Sequence, residues 1–311
     1  MSHTNQTWVT EFFLLGLSDD PQTQLLLFAL FLTVYLGTIL GNLLLTSLVL
    51  LDSQLHTPMY FFLCNLSLAD LCFSTTTVPQ SLIHMLSGKK LISFTGCAAQ
   101  VLLFLFFGST QCTLLGVMSY DRYLAICDPM HYPLIMTWKA CGLFALGCWS
   151  SGLFASLVDS TFILGLPYQG NNQIAHFFCE APALLVLASA NIHRTELVIF
   201  LLGVVIIVTP VSLILISYVC IIMSIIKMKS TSGRLKAFST CGSHLIVVIF
   251  FYGGAIINYM IPKSSQELGK MISVFYAVIN PMLNPLIYSL RNKDVKRAFR
   301  NAVNRRIFCR T

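Results

Sequence analysis

The chain is 311 residues long, and 56% of its side chains are hydrophobic while only 10% are charged. A soluble globular protein needs more polar side chains to cover its surface, so this composition excludes one and indicates a membrane protein. The net charge of +7 does not indicate nucleic-acid binding, because the basic residues lie mostly beside apolar segments and near the C-terminus, where lipid headgroups explain them.

Seven apolar segments follow one another along the chain, and each can cross a bilayer as a helix, which needs about 20 residues. The predicted spans are residues 23–51, 57–86, 95–127, 139–165, 196–227, 236–261 and 270–290. A surface helix is predicted over residues 292–306, with an apolar face formed by Val295, Ala298, Phe299 and Ala302. The sequence thus predicts an all-α membrane protein, a seven-transmembrane helix bundle with a short C-terminal amphipathic helix, as one domain over residues 1–311.

The basic residues predict the orientation of the spans, because lysine and arginine near span ends stay on the cytoplasmic side. With the N-terminus outside, 14 of the 19 lysines and arginines lie inside and the other five lie outside. Asn5-Gln6-Thr7 is a glycosylation sequon in the segment placed outside. We therefore expect a multi-pass plasma-membrane protein with an extracellular N-terminus glycosylated at Asn5, whose first span is an uncleaved insertion signal.

Two motifs have consequences that follow from their chemistry. Asp121-Arg122-Tyr123 ends the otherwise uncharged third span, where an unpaired charge is costly, so Asp121 is expected to hold Arg122. The alternative is that both side chains only reach the headgroup region. Pro285, which follows Asn284 in span seven, removes a backbone donor and predicts a kink there.

Five motifs occur along nearly the whole chain: Gly41-Asn42 in span one, Leu55–Tyr60 after it, Met118–Cys127 ending span three, Lys236–Cys241 opening span six, and Pro281–Tyr288 ending span seven. With these motifs the chain resembles the vertebrate odorant receptors of the tetrapod-type class, within the rhodopsin-like G-protein-coupled receptor superfamily. The resemblance implies a receptor that binds a small organic odorant and activates a heterotrimeric stimulatory G protein to raise cAMP. It implies no enzyme activity and no cofactor, and the sequence contains no catalytic motif.

The resemblance also implies how the receptor is activated. Arg122 is expected to be released from Asp121 and to meet the G protein. The further residues implied in coupling and activation are Tyr123, Tyr218, Asn284, Pro285 and Tyr288.

A polar core is predicted around Asp70, the only acidic residue deep in span two, with Asn42 and Asn284 as expected partners. In many related receptors such an aspartate binds sodium, and odorant receptors commonly add a glutamate from span three. Gln111 stands at that position and removes one charge. A hydrogen-bonded Asp70–Gln111 network is therefore favoured at least as much as a sodium site, and we predict no metal.

The resemblance implies a disulfide between Cys97, at the outer start of span three, and Cys179, in the loop before span five. Odorant receptors usually carry a second cysteine pair in that loop. Gln169 and Ser189 stand in those two positions, so we predict a single extracellular bridge.

The ligand site is expected in the outer half of the bundle. The lining residues implied by resemblance are Phe104, Leu105, Gly108, Ser109, Cys112, Leu202, Gly203, Ile206, Tyr252, Ala255, Ile256 and Tyr259. These are mostly apolar, and no aspartate lies in the outer half of span three, which predicts a neutral, mostly hydrophobic ligand held by Ser109, Asn258 or Tyr259. The polar residues Asp159 and His176 are interpreted as a loop cap and a packing residue, and not as a metal site.

Three other functions were weighed against an odorant receptor. A retinal photoreceptor requires a lysine in span seven, and none is present. A transporter or channel usually carries several charges along its path, whereas Asp70 stands nearly alone. A rhodopsin-like receptor for a non-odorant small molecule fits the same motifs and remains the alternative.

Overall fold

The bundle consists of seven long helices and one C-terminal helix. The structure, a computed structural model, describes residues 9–88, 90–168, 172–189, 192–227, 230–259 and 266–308. The helices are α1 Pro21–Leu51, α2 Pro58–Ser87, α3 Phe94–Cys127, α4 Trp138–Leu164, α5 His193–Lys227, α6 Thr231–Tyr259, α7 in the consecutive pieces Gln266–Val274, Phe275–Ile279 and Asn280–Arg291, and α8 Lys293–Phe308. Within the described residues, six helices are long and apolar enough to cross a membrane, and α6 adds the shorter apolar stretch Cys241–Ile257. The predicted seven-helix membrane fold with a C-terminal helix is confirmed.

Local sequence explains where several helices begin and end. The side chains of Asp20, Ser93 and Thr137 accept hydrogen bonds from backbone amides in the first turns of α1, α3 and α4. Pro21 and Pro58 occupy first-turn positions, where a missing N–H costs nothing. A left-handed glycine, Gly88, ends α2 with φ +65°.

Two helices contain a wider π-helical turn just before a proline. Residues Val204–Val208 of α5 precede Pro210, and residues Phe275–Ile279 of α7 precede Pro281. A proline clashes with the carbonyl group four residues earlier, and a wider turn relieves this clash. These turns were not predicted from the sequence.

Small residues allow the helices to approach closely. A Cβ atom on Gly152 of α4 would lie 2.3 Å from Thr110 Oγ1 of α3 and 3.0 Å from the Phe106 carbonyl oxygen. A Cβ atom on Gly41 of α1 would lie 3.0 Å from Pro285 Cγ of α7. Helices packed in lipid depend on such small residues, because lipid provides little hydrophobic drive for helix association.

A small sheet covers one end of the bundle, which we call the sheet end. It contains β1 Glu11–Leu14, β2 Leu91–Ser93 and β3 Gln173–Ile174, in the order β2-β1-β3. The β1 strand pairs antiparallel with β2 and parallel with β3. The N-terminal segment therefore joins the loop after α2 to the loop after α4.

At the opposite end, α8 packs on the bundle through its apolar face. Val295 and Ala298 are buried in the main core, whereas Phe299 is 48% exposed. Ala302 also packs against this core, so three of the four residues expected on that face contact protein, and Phe299 remains available to lipid.

Candidate functional site

A cavity of about 650 Å³ lies toward the sheet end, between α3, α4, α5, α6 and α7. The short helix Ala181–Leu187, in the loop between α4 and α5, contributes to its wall. Most of the lining side chains are apolar. The polar exceptions are Ser109, Asp159, Glu196 and Tyr276. A cavity of this size and character accommodates a small organic molecule.

The cavity includes most of the residues expected to bind ligand. Nine of the twelve line it: Phe104, Leu105, Gly108, Ser109, Cys112, Leu202, Gly203, Ile206 and Ala255. Tyr252 lies behind the lining and donates a 2.7 Å hydrogen bond from its hydroxyl to the Cys112 carbonyl oxygen. Ile256 packs against the main core. The side chains of Asn258 and Tyr259 lie outside the described residues.

Asp159 is a lining residue, so the interpretation of this residue as a loop cap is corrected. Its Oδ1 atom is buried and has no hydrogen-bond partner in the described part of the chain. Asp159 shares one face of α4 with the buried residues Gly152, Ala155 and Ile163. Their spacing of three or four residues was the sequence signal that could have placed Asp159 inward.

The disulfide between Cys97 and Cys179 fixes the loop over the cavity. The Cys179 amide also donates to Gln100 Oε1 at 2.8 Å, and the Phe178 ring contacts the Phe104 ring at a centroid distance of 4.9 Å. Because Phe104 lines the cavity, the loop and the cavity wall form one packed unit. His176 stacks on Phe177, which agrees with a packing role.

Glu180, next to the disulfide, links this loop to α7. Its buried carboxylate accepts hydrogen bonds from the Tyr276 hydroxyl at 2.7 Å and from the Ser273 hydroxyl at 3.0 Å. His176 Nε2 lies 3.3 Å from the same carboxylate. Glu180 was not predictable as a link from the sequence, because its partners lie more than 90 residues away.

Backbone contacts also close the loop between α4 and α5 near the positions where odorant receptors are expected to carry a second disulfide. Tyr168 and Ala188 form an antiparallel bridge, and the Ser189 amide donates to the Pro167 carbonyl oxygen at 3.0 Å. The Tyr168 hydroxyl donates to the Ile163 carbonyl oxygen, and burial raises the pKa of Tyr168 to about 12. Gln169 lies outside the described residues.

At the opposite end of the bundle, Asp121 holds Arg122. The buried carboxylate accepts hydrogen bonds from Arg122 Nε at 3.0 Å and from Arg122 Nη2. It also accepts a 2.8 Å hydrogen bond from the hydroxyl of Tyr132, in the segment between α3 and α4. Burial and the negative Asp121 raise the pKa of Tyr132, so this hydroxyl stays protonated and remains a donor.

Three other expected activation residues, Tyr123, Tyr218 and Tyr288, lie toward this end. The Tyr218 hydroxyl donates to the Cys241 carbonyl oxygen at 2.9 Å and lies 2.7 Å from His244 Nδ1. Tyr288 is buried, and its hydroxyl has no hydrogen-bond partner within the described residues. Tyr123 stacks on Tyr120. Tyr132 and His244 were not among the expected activation residues, since neither lies in one of the five motifs.

The polar core differs from the expected network. The Asn284 amide donates to both Asp70 oxygens, at 3.0 and 2.9 Å. Asn42 donates to the carbonyl oxygens of Thr38 and Pro281 instead, at 3.0 and 3.2 Å. Gln111 is buried, and neither polar atom of its side chain has a partner in the described ranges.

The expected Asp70–Gln111 hydrogen bond is therefore absent. The buried Gln111 side chain does not reach the Asp70 carboxylate, whose two oxygens accept from an amide of α7 instead. Among the described residues, no group of three or more histidines, cysteines, aspartates or glutamates could hold a metal ion.

Comparison with known proteins agrees with this geometry. The family model for olfactory receptors matches residues 31–306. The chain is 68% identical to human Olfactory receptor 2D2 over 98% of this chain and 99% of the relative. It is 48% identical to human Olfactory receptor 13C2, with 99% of both chains covered, and 48% identical to mouse Olfactory receptor 2A7, with 96% and 97% covered. This chain therefore belongs to the olfactory receptor family of rhodopsin-like G-protein-coupled receptors, is a multi-pass plasma-membrane protein and is not an enzyme.

Proposed function

We propose that this odorant receptor binds a small, mostly apolar organic molecule in the 650 Å³ cavity and activates a stimulatory G protein, which raises cAMP. The observation that carries this proposal is the cavity itself, whose lining includes nine of the twelve residues expected to bind ligand. Burial of a hydrocarbon ligand against such a lining is favourable because it removes apolar surface from water.

Contacts between α3, α5 and α6 lead from the cavity toward the end of the bundle where Asp121 holds Arg122. Cys112 of α3 lines the cavity, and its carbonyl oxygen accepts the hydrogen bond from Tyr252 of α6. Two helical turns away on α6, His244 contacts Tyr218 of α5. A ligand that displaces the contact between α3 and α6 would therefore move the helix that carries His244, next to the arginine held by Asp121.

Span seven is the second element we assign to activation. Asn284 binds Asp70, Pro285 packs against Gly41, and the π-helical turn lies just before Pro281. A wider turn beside a proline weakens the regular helix, which favours a change in helix direction. We propose that Asn284, Pro285 and Tyr288 act together in this change.

We also propose that the sheet end faces the cell exterior. The basic residues concentrate near the opposite end, and the exterior is oxidising, which permits the Cys97–Cys179 bridge. Asn5 lies outside the described residues, and its glycosylation is a further part of this proposal.

An odorant panel applied to cells that display the receptor tests the function through cAMP accumulation. We expect the panel to contain agonists. Their potency should fall in the Ser109→Leu variant, because a leucine at this position fills part of the cavity.

Arg122→Ala should abolish cAMP output while agonist binding and surface display remain. The matched control is Arg297→Ala, at an exposed arginine of α8. Normal output from a well-displayed Arg122→Ala variant would overturn the coupling role. Responses to small molecules that are not odorants, with none to odorants, would favour a non-odorant rhodopsin-like receptor.

A further inference from the structure

We infer that the cavity selects an organic amine: the ammonium group binds Asp159, and the hydrocarbon part packs against the apolar lining. This inference rests on the proposed function, because it names the ligand class for the same cavity. It differs from the neutral ligand that the sequence alone suggested. That expectation depended on the missing aspartate of α3, whereas the carboxylate here comes from α4.

The position of Asp159 is the first support. Its side chain lines the cavity, and its buried Oδ1 atom has no hydrogen-bond partner in the described ranges. A buried carboxylate oxygen without a partner is costly, because a carboxylate only accepts hydrogen bonds and loses those of water. A ligand that donates hydrogen bonds at this point removes that cost. An ammonium group offers up to three such donors and also neutralises the charge.

The charges around the cavity are the second support. Glu196, in the first turn of α5, places another carboxylate on the lining. No lysine, arginine or histidine lines the cavity in the part of the chain that the structure describes. The basic neighbours of Glu196 in sequence, His193 and Arg194, are exposed and do not line it. A cavity that carries two carboxylates and no cationic side chain among its described lining residues attracts a cation and repels a carboxylic acid.

Aromatic rings are the third support. Phe73 and Phe104 are stacked at 4.4 Å between ring centroids, Tyr276 lies 5.8 Å from Phe104, and all three line the cavity with Phe251. Aromatic ring faces carry partial negative charge and attract ammonium groups. These rings of the cavity lining therefore also favour a cation.

Three probes with one carbon skeleton test the inference: 2-phenylethylamine, 2-phenylethanol and phenylacetic acid. Thermal unfolding of the purified receptor measures binding through the stabilisation that a ligand gives, and cAMP accumulation in cells measures the response. Asp159→Asn keeps the size of the side chain and removes its charge. Asp19→Asn is the control, since Asp19 is an exposed carboxylate at the sheet end that is bound to Lys90 outside the cavity.

We expect the amine to stabilise the receptor at lower concentration than the alcohol, and the acid to have no effect. In Asp159→Asn the amine should lose about 10- to 100-fold in potency, as expected for a hydrogen bond to a charged group, whereas Asp19→Asn should bind it normally. The inference is overturned if the alcohol or acid stabilises as well as the amine, if Asp159→Asn still binds the amine with unchanged potency, or if none of the three probes stabilises the receptor. In these cases, a cAMP response to neutral agonists that depends on Ser109 would still support the proposed function. A receptor that responds to no odorant would contradict the proposed function as well.

Discussion

Gly152→Ala should separate α3 from α4 and destabilise the receptor. The new methyl group would lie 2.3 Å from Thr110 Oγ1 and 3.0 Å from two backbone atoms, the Phe106 carbonyl oxygen and the Thr110 nitrogen. The threonine hydroxyl can rotate away, but the backbone atoms move only with the helix. Overpacking of this kind costs about 1–3 kcal/mol.

The matched control is Gly147→Ala on the same helix, where an added Cβ meets nothing within 4 Å. Both variants gain the same helix propensity, up to about 1 kcal/mol, so their difference isolates the clash between α3 and α4. The measurement is the thermal unfolding midpoint of the purified receptor in one detergent. Thr110→Ala combined with Gly152→Ala should recover part of the loss, because it removes the nearest atom. Equal midpoints for Gly147→Ala and Gly152→Ala would refute the close packing described for this helix pair.

Three further predictions concern the polar core, the cavity and the orientation. Asn284→Ala removes both hydrogen bonds to Asp70 and should lower the free energy of unfolding by about 1–3 kcal/mol. The control Asn301→Ala, at an exposed asparagine, should leave it unchanged, and thermal unfolding measures both variants. Tyr259→Phe should reduce agonist potency about tenfold or less, because it removes one hydrogen bond to a neutral group, and unchanged potency for Tyr259→Ala with several agonists would place Tyr259 outside the site. An epitope inserted before Thr10 should be labelled on intact cells, and labelling only after permeabilisation would reverse the proposed orientation.

The bundle could be predicted from the sequence because its signals are local. Uncharged apolar segments of sufficient length specify the spans, whichever helices pack beside them. The cavity lining was largely predictable as well, since the resemblance to odorant receptors implied which faces of α3 and α5 point inward, and residues such as Phe104 and Gly203 line the cavity.

The features that the sequence analysis missed depend on contacts between distant residues. The strands β1, β2 and β3 are four, three and two residues long, and no hairpin turn joins them, so no local pattern marks them. Whether Gln111 or Asn284 binds Asp70 depends on how far along the bundle axis α3 and α7 place these two side chains relative to Asp70 of α2. Asp159 was misinterpreted because its position near a helix end favoured a cap, although its spacing from Ala155 and Gly152 placed it on the buried face.

The central position of β1 has a consequence for biosynthesis. Phe13 of β1 pairs with Leu91 of β2 and with Gln173 of β3. The β1 strand is synthesised first, and it cannot pair with β3 until Gln173 has been synthesised, 160 residues later. Four helices must be inserted before this sheet can close, and contacts of such long sequence separation form slowly. The sheet end is therefore expected to fold after the four helices that precede β3 have been inserted. A variant whose helices are fully inserted can therefore still have an incompletely folded sheet end.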